Sequence, residues 1–150
     1  MKTKDFPYTL FQGLYLESDE LLIPWRINHD ELRFIGHPEI TENDNITSFT
    51  WRERKILGGT NVDIHTNSSI RNVFYIRPPN SQEIYVEDAY YNFRQKLIEN
   101  LGEPHSSEVS DGFPSLLWNY GGRSLDSVRV RLGIQERFLQ DLVFVISSGF

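Results

Sequence analysis

The 150-residue chain contains no cysteine and a single methionine. Without thiols it can form no disulfide framework, no thiolate metal site and no cysteine nucleophile. No segment approaches the roughly 20 apolar residues of a membrane-spanning helix. Basic residues are in the minority: 15 Lys and Arg against 21 Asp and Glu give a formal net charge of -6 and a pI near 5.2. That balance argues against an electrostatic grip on nucleic acid or anionic lipid, both of which call for a basic surface, and its long-range field favours a basic partner. The opening MKTKDFPYTLFQGLYL has two lysines, but Asp5, Pro7 and Gln12 interrupt it, so it makes a poor signal peptide. The expectation is a cytoplasmic protein.

What is present is the material of one ordinary domain over residues 1–150, with 39% hydrophobic and 24% charged residues and 10 Phe, 7 Tyr and 3 Trp. The chain is organised around the stretch Val86 to Pro104. Val86, Ala89, Tyr90, Phe93, Leu97 and Leu101 repeat at the three-and-four spacing of one helix face. Gly102 suits a left-handed C-cap and Pro104 forbids continuation. Glu87 and Asp88 suit the first turn of that helix, where the dipole favours negative charge.

Ahead of it, residues 9–16 and 20–23 read as two short strands around a polar turn at Glu17-Ser18-Asp19, closed by Pro24. Asn28 can cap a short helix, with Glu31 in the capping-box position and Leu32, Phe34 and Ile35 as its apolar face before Gly36 and Pro38. Thr41 to Asn45 reads as a polar turn. Residues 46–54 alternate with a period of two, Gly58-Gly59 is a turn, and 61–66 and 72–77 are strand candidates. Pro78-Pro79-Asn80-Ser81 is the best candidate linker. After the long helix, Ser106 to Pro114 is polar and rich in breakers and reads as a loop. Residues 116–120 form a strand around Trp118, Gly121-Gly122 a turn, and 125–132 an alternating strand. Leu142 to Ile146 is a continuous apolar strand, central or covered on both faces.

Set side by side, the halves share an order: helix, Gly-x-Pro, Trp strand, Gly-Gly, strand, strand. Trp51 lies 15 residues after Gly36 and Trp118 lies 16 after Gly102. The period near 66 residues is too long for a solenoid and suggests a pseudo-symmetric tandem pair, with halves at about 24–79 and 81–150. The fold class expected is α+β: two pseudo-repeats of helix plus antiparallel strands, with the helices on one face of the sheet.

A helix, Gly-x-Pro and a Trp-bearing antiparallel meander, used twice, resembles the architecture of the beta-lactamase inhibitor protein family and of the small lipoproteins of outer-membrane assembly that share its fold. The resemblance spans most of residues 28–146 as a layout rather than a residue signature. It implies a sheet face or loops that bind another protein, and it carries over no functional residue. The secreted inhibitors use disulfides and the lipoproteins a lipidated cysteine, and this chain has neither. A cytoplasmic immunity-type protein of a bacterial cell fits the layout better.

Catalytic and metal patterns are weak. His29, His37, His65 and His105 show no ligand spacing, and Asp63 with His65, two apart on one strand face, is too few for a site, so no metal or other cofactor is expected. Ser115, Ser124 and Ser127 lack a nucleophile-elbow context. The adjacent carboxylates Glu87-Asp88 and Asp19-Glu20 diverge, so neither makes a general acid/base pair. The double glycines precede no helix and are turns, not phosphate loops. The arginines stand out. Arg129 and Arg131 share the polar face of their strand, as Asp63 and His65 share theirs. In a single sheet all four would lie on the open face, flanked by Arg123 and Arg137, where arginine pairs carboxylates bidentately and stacks on rings. Trp51 and Trp118 are expected as core anchors and Trp25, after Pro24, as the exposed one. The binding residues expected are therefore Arg129, Arg131, Asp63, His65 and Trp25.

Three functions follow. The first is a non-enzymatic protein-binding module of inhibitor or immunity type, acting on a protein partner. The alternative is a small hydrolase or ligand-binding enzyme with a pocket between the halves using His65, Asp63 and Arg131. The third is a subunit that self-associates as a homodimer.

Overall fold

The computed structural model describes residues 6–79, 85–121, 127–136 and 140–149. Its elements in chain order are α1 (Phe6–Gln12), β1 (Gly13–Leu16), β2 (Leu21–Pro24), α2 (His29–Leu32), β3 (Glu39–Asn43), β4 (Ile46–Ile56), β5 (Thr60–Asn67), β6 (Val73–Arg77), α3 (Val86–Leu101), β7 (Ser106–Ser110), β8 (Phe113–Tyr120), β9 (Val128–Glu136) and β10 (Gln140–Ser148). This is an α+β chain dominated by antiparallel sheet. β1 and β2 form a hairpin of their own, and the other strands form one eight-stranded sheet in the order β3-β4-β5-β6-β10-β9-β8-β7.

The sheet is two meanders that meet where β6 pairs antiparallel with β10, with Tyr75 opposite Val145 and Phe74 opposite Ile146. The continuous apolar run of β10 therefore occupies a central position, as its composition suggests. Cross-strand rows run through both meanders. Trp51 lies opposite Ile64 and Ile64 opposite Ile76, while Trp118 lies opposite Val130 and Val130 opposite Ile146. All six side chains are 0% exposed. Each buried indole N–H has a partner: Trp51 Nε1 donates to the Ile35 carbonyl at 2.8 Å, and Trp118 Nε1 to the Gly102 carbonyl at 2.9 Å, each 16 residues earlier. An indole buried without that acceptor would cost about 1–3 kcal/mol.

The helix α3 buries Ala89, Tyr90, Phe93 and Leu97 and sets the Phe93 ring 4.9 Å from that of Phe144 on β10. Complete burial of Leu97 alone is worth roughly 1.5–3 kcal/mol. The helix stops where expected, and the amide of Gly102 donates to the Ile98 carbonyl at 2.9 Å; with φ 83° and ψ -169° the glycine is extended at positive φ rather than in the left-handed helical cap expected. At α2 the Asn28 side chain accepts from the Asp30 amide at 2.8 Å, the expected cap, and the helix ends at Leu32.

Three stretches differ from the sequence reading. Residues 9–12 are the end of α1 rather than a strand, with Leu10 buried and Pro7 in the first turn, where its missing N–H is tolerated. The strand begins only at Gly13, where a Cβ would fall 2.1 Å from the Ile23 carbonyl oxygen, so glycine alone lets β1 close on β2. Residues 41–43 of the expected turn at 41–45, and 106–110 of the expected loop, belong to strands β3 and β7 at the two outer edges of the sheet, with the turn kept at 44–45. An edge strand is held by its ladder on one side and lies open on the other, so its sequence need not alternate. Every residue of β3 is exposed.

Of the sequence-based expectations, Asn80 and Ser81 of the linker, Gly122 of the second turn, Leu125 and Asp126 of the alternating strand, and Arg123, Ser124 and Arg137 lie outside the described residues.

Candidate functional site

Because side chains alternate across a strand, each buried row of the sheet has a neighbour on the opposite face. The row Thr50, His65, Tyr75, Val145, Arg131, Leu117 runs across six strands in register. Next to it Asp63 lies opposite Arg77. On the other side Arg129 lies between Ser147 and Asn119. Apart from buried Asp63, these side chains are half-buried or exposed, in contrast to the sealed rows behind them. The face is apolar at its centre, where Tyr75, Val143, Val145 and Leu117 are half-buried, and Arg77, Arg129 and Arg131 adjoin that centre.

The four sheet residues expected at the site have different environments. Asp63 is only 6% exposed and closes a β-bulge. Trp51 pairs with Ile64 and Arg54 with Val62, so Arg52 and Glu53 together oppose Asp63, and Glu53 takes φ 51°. The Glu53 amide donates to Asp63 Oδ1 at 2.8 Å, and Arg52 Nη1 lies 3.4 Å from Asp63 Oδ2. Arg52 also pairs with Glu39 at 2.8 Å, and this hydrogen bond, with the carboxylate's charge, raises its pKa further. Asp63 thus holds the strand's shape. His65 shares a hydrogen bond with the Thr50 hydroxyl at 3.2 Å, and burial, then the nearby Arg77 charge, holds the imidazole below its ordinary pKa. Arg77 donates to the Leu142 carbonyl at 3.0 Å, beyond the Tyr75–Val145 end of the β6–β10 ladder.

Arg129 is half-buried and Arg131 exposed, and among the described residues neither guanidinium has a hydrogen bond or a carboxylate partner. The fold does bring His65 and Arg131 into one row, but with Tyr75 and Val145 between them. Three strand spacings, about 14 Å, separate them. They line one surface and do not converge on one reacting atom.

Trp25 corrects the sequence reading. It is half-buried, its ring sits 5.5 Å from Phe74 on the buried side of β6, and its indole N–H donates to the Leu10 carbonyl. The cause is the return of the β1–β2 hairpin onto the end of α1, where the Trp25 amide also donates to the Gln12 carbonyl at 3.2 Å. It stands away from the arginine face.

Other candidates have structural partners. His29 hydrogen-bonds the Ile70 carbonyl at 2.9 Å, and His105 Nδ1 accepts from the Asn119 amide at 2.8 Å. The buried Ser127 hydroxyl donates to the Gly149 carbonyl at 3.1 Å. The amides of Gly58 and Gly59 donate to the Glu17 carboxylate at 3.2 and 2.7 Å, so the turn's anion-binding geometry is filled from within the chain. A cavity of about 260 Å³ lies between the ends of β5 and β6 and α3, lined by Pro78, Pro79, Asn61, Asn92, Phe93 and Lys96 among others. Its lining includes no carboxylate or histidine among the described residues. Among the described residues no group of three His, Asp or Glu could hold a metal ion, and no helix is long and apolar enough to cross a membrane.

Tyr75, Val145, Leu117 and Arg77 were not singled out from sequence. The available signal was β10, whose residues 142–146 are apolar on both faces, where a strand covered once would alternate.

No protein-family model matches the chain, and no curated protein or solved structure matches it.

Proposed function

We propose that this chain is a non-enzymatic protein-binding module of inhibitor or immunity type. It is a single domain made of two pseudo-repeats, each a helix and a meander, whose helices cover one face of the shared sheet and leave the other to a partner protein. Several observations support the tandem reading. Tyr75 opposite Val145 is the pair that a two-fold axis through the sheet would exchange, and the rows Trp51-Ile64-Ile76 and Trp118-Val130-Ile146 then superimpose. The two indole hydrogen bonds, each reaching back 16 residues, fit the same scheme. The contacts of Phe93 with Phe144, Trp25 with Phe74 and His29 with Phe49 all fall on the buried side. The layout in which such a sheet binds another protein is the one the beta-lactamase inhibitor resemblance implies.

The observation that carries the binding function is the half-buried apolar centre of the opposite face, with two arginines that no carboxylate of the described chain engages. Surfaces that bind proteins combine apolar area with arginine in this way. For an enzyme reading, the cavity beside α3 offers Lys96 as its one titratable group among the described residues, and the hollow at the start of α3 brings only the adjacent carboxylates Glu87 and Asp88.

The test is affinity capture from a lysate of the source cells. Wild-type protein is compared with an Arg129→Glu, Arg131→Glu double variant whose circular dichroism shows that it folds. A specific protein band lost from the variant is expected. A band kept by both would move the site to the loops, and no band in either would overturn the reading in favour of a small ligand.

A further inference from the structure

We infer that the partner meets this face with a pair of carboxylates about 7 Å apart, presented by an acidic segment of a protein; the inference rests on the binding-module reading above. The chain as a whole is acidic, at -6, yet the middle of this face has the opposite sign. Arg77 on β6 and Arg129 and Arg131 on β9 form a cationic band. The carboxylates that share the face lie at its margins: Glu39 on the edge strand β3, Glu108 on the edge strand β7, and Asp141 near the start of β10. Asp63 is turned into the bulge, and Arg52 beside it engages Glu39. What remains at the centre, among the described residues, is the pair Arg129 and Arg131 with no carboxylate partner.

Arg129 and Arg131 are two apart on one strand, so their guanidiniums project from points about 7 Å apart, the repeat of a facing strand or close to one turn of a helix. Arginine is protonated at every physiological pH and presents a planar fork that matches a carboxylate bidentately. Arg131 lies between Val145 and Leu117, so a carboxylate seated there is partly withdrawn from water, where the charge pair gains strength. A second copy docking face to face would set arginine against arginine, which the geometry disfavours. Nucleic acid would carry phosphates along its whole length, over the carboxylates at the margins, where a segment with two carboxylates at the centre would not.

The experiment is an amide NMR titration of the full chain with four probes: a decapeptide alternating Glu and Val, a Glu decapeptide, a Lys decapeptide and a ten-nucleotide oligothymidylate. Saturable shifts confined to β8, β9 and β10 are expected with the Glu–Val peptide and more weakly with the Glu peptide. They should weaken as salt is raised. The Arg129→Gln, Arg131→Gln variant should raise the Kd about tenfold or more, the loss of charge-assisted hydrogen bonds, while the Lys replacements keep part of the affinity. Binding on the same strands that is unchanged in the Gln variant but lost in Val145→Asp would overturn the carboxylate inference and leave the open-face reading intact. Acidic-peptide shifts mapping away from these strands would overturn both. Shifts on this face from the Lys peptide or the oligonucleotide alone, or from no probe at all, would overturn the inference, as would line broadening with protein concentration in the absence of any probe.

Discussion

The two meanders of the sheet solve the same packing problem and differ in what they leave at the surface. Each plants a fully buried tryptophan in its second strand and ties the indole N–H to a carbonyl in the chain segment that follows its helix. Beyond that anchor they diverge. In the first meander the β4–β5 ladder is interrupted by the Trp51–Arg54 bulge, and Asp63 turns inward to satisfy it. In the second, β8 and β9 pair without a shift from Ser115 opposite Gly133 to Tyr120 opposite Val128, and Arg129, two positions before Arg131, stays on the face. Gly133 keeps that ladder tight, because a Cβ there would fall 2.8 Å from the Pro114 carbonyl oxygen. On the proposed reading, matching strand positions are spent on shape in one meander and on recognition in the other: the bulge absorbs the Asp63 carboxylate, and the regular ladder leaves Arg129 on the face.

The largest effect that would break this comparison is at the anchors. Trp51→Ala and Trp118→Ala should each cost about 3–5 kcal/mol, measured by urea denaturation, because each removes a large buried ring and leaves a carbonyl without its donor. A cost below about 1 kcal/mol at either site would mean that the two tryptophans do not play the same part.

The contrast between Asp63 and Arg129 gives a smaller effect and a sharper test. Asp63→Ala should destabilise by about 1–3 kcal/mol, since the Glu53 amide loses its acceptor within a buried bulge. Arg129→Ala should stay within about 0.5 kcal/mol, as a side chain without a partner among the described residues should. Denaturation midpoints of the two variants against wild type decide it, and the reverse ranking would remove the distinction between shape and recognition.

The smallest effect concerns His65. Its folded-state pKa lies below the ordinary 6.5 because burial, and then Arg77, disfavours the imidazolium. Between the folded pKa and 6.5 the unfolded chain binds more protons than the folded one. Stability is therefore at its full value above 6.5 and falls as pH drops through that window. His65→Gln should flatten this part of the stability profile, measured by thermal melts across pH, and Arg77→Gln should shift it less. A profile identical to wild type in His65→Gln would show that the imidazole is not held in its neutral form.

Much of the architecture was legible because it rests on local patterns. The three-and-four spacing from Val86 to Leu101 became α3, with Ala89, Tyr90, Phe93 and Leu97 buried and Val86 and Leu101 half-buried, and Gly102 ended it. The alternation around Trp51 and Trp118 placed both rings in the core, where their relative exposure is 0%. The candidate face was half legible. Arg129, Arg131 and His65 were recognised as polar-face residues, and they do lie on one side of the sheet. The edge strands β3 and β7 were missed because their side chains are little buried and so carry no periodic signal. Trp25 was misplaced because what covers it, Leu10 and Phe74, is far away in sequence.

By itself the sequence determined the long helix, its stop, the strand phases and the absence of thiol chemistry, since each depends on residues a few positions apart. Tertiary structure alone decided that β6 meets β10, that Tyr75 and Val145 lie at the centre of the face, and that Asp63 is drawn into a bulge while Arg129 is not. Those outcomes depend on register between residues 70 to 74 positions apart, which is set by how the whole buried face packs and not by any local preference.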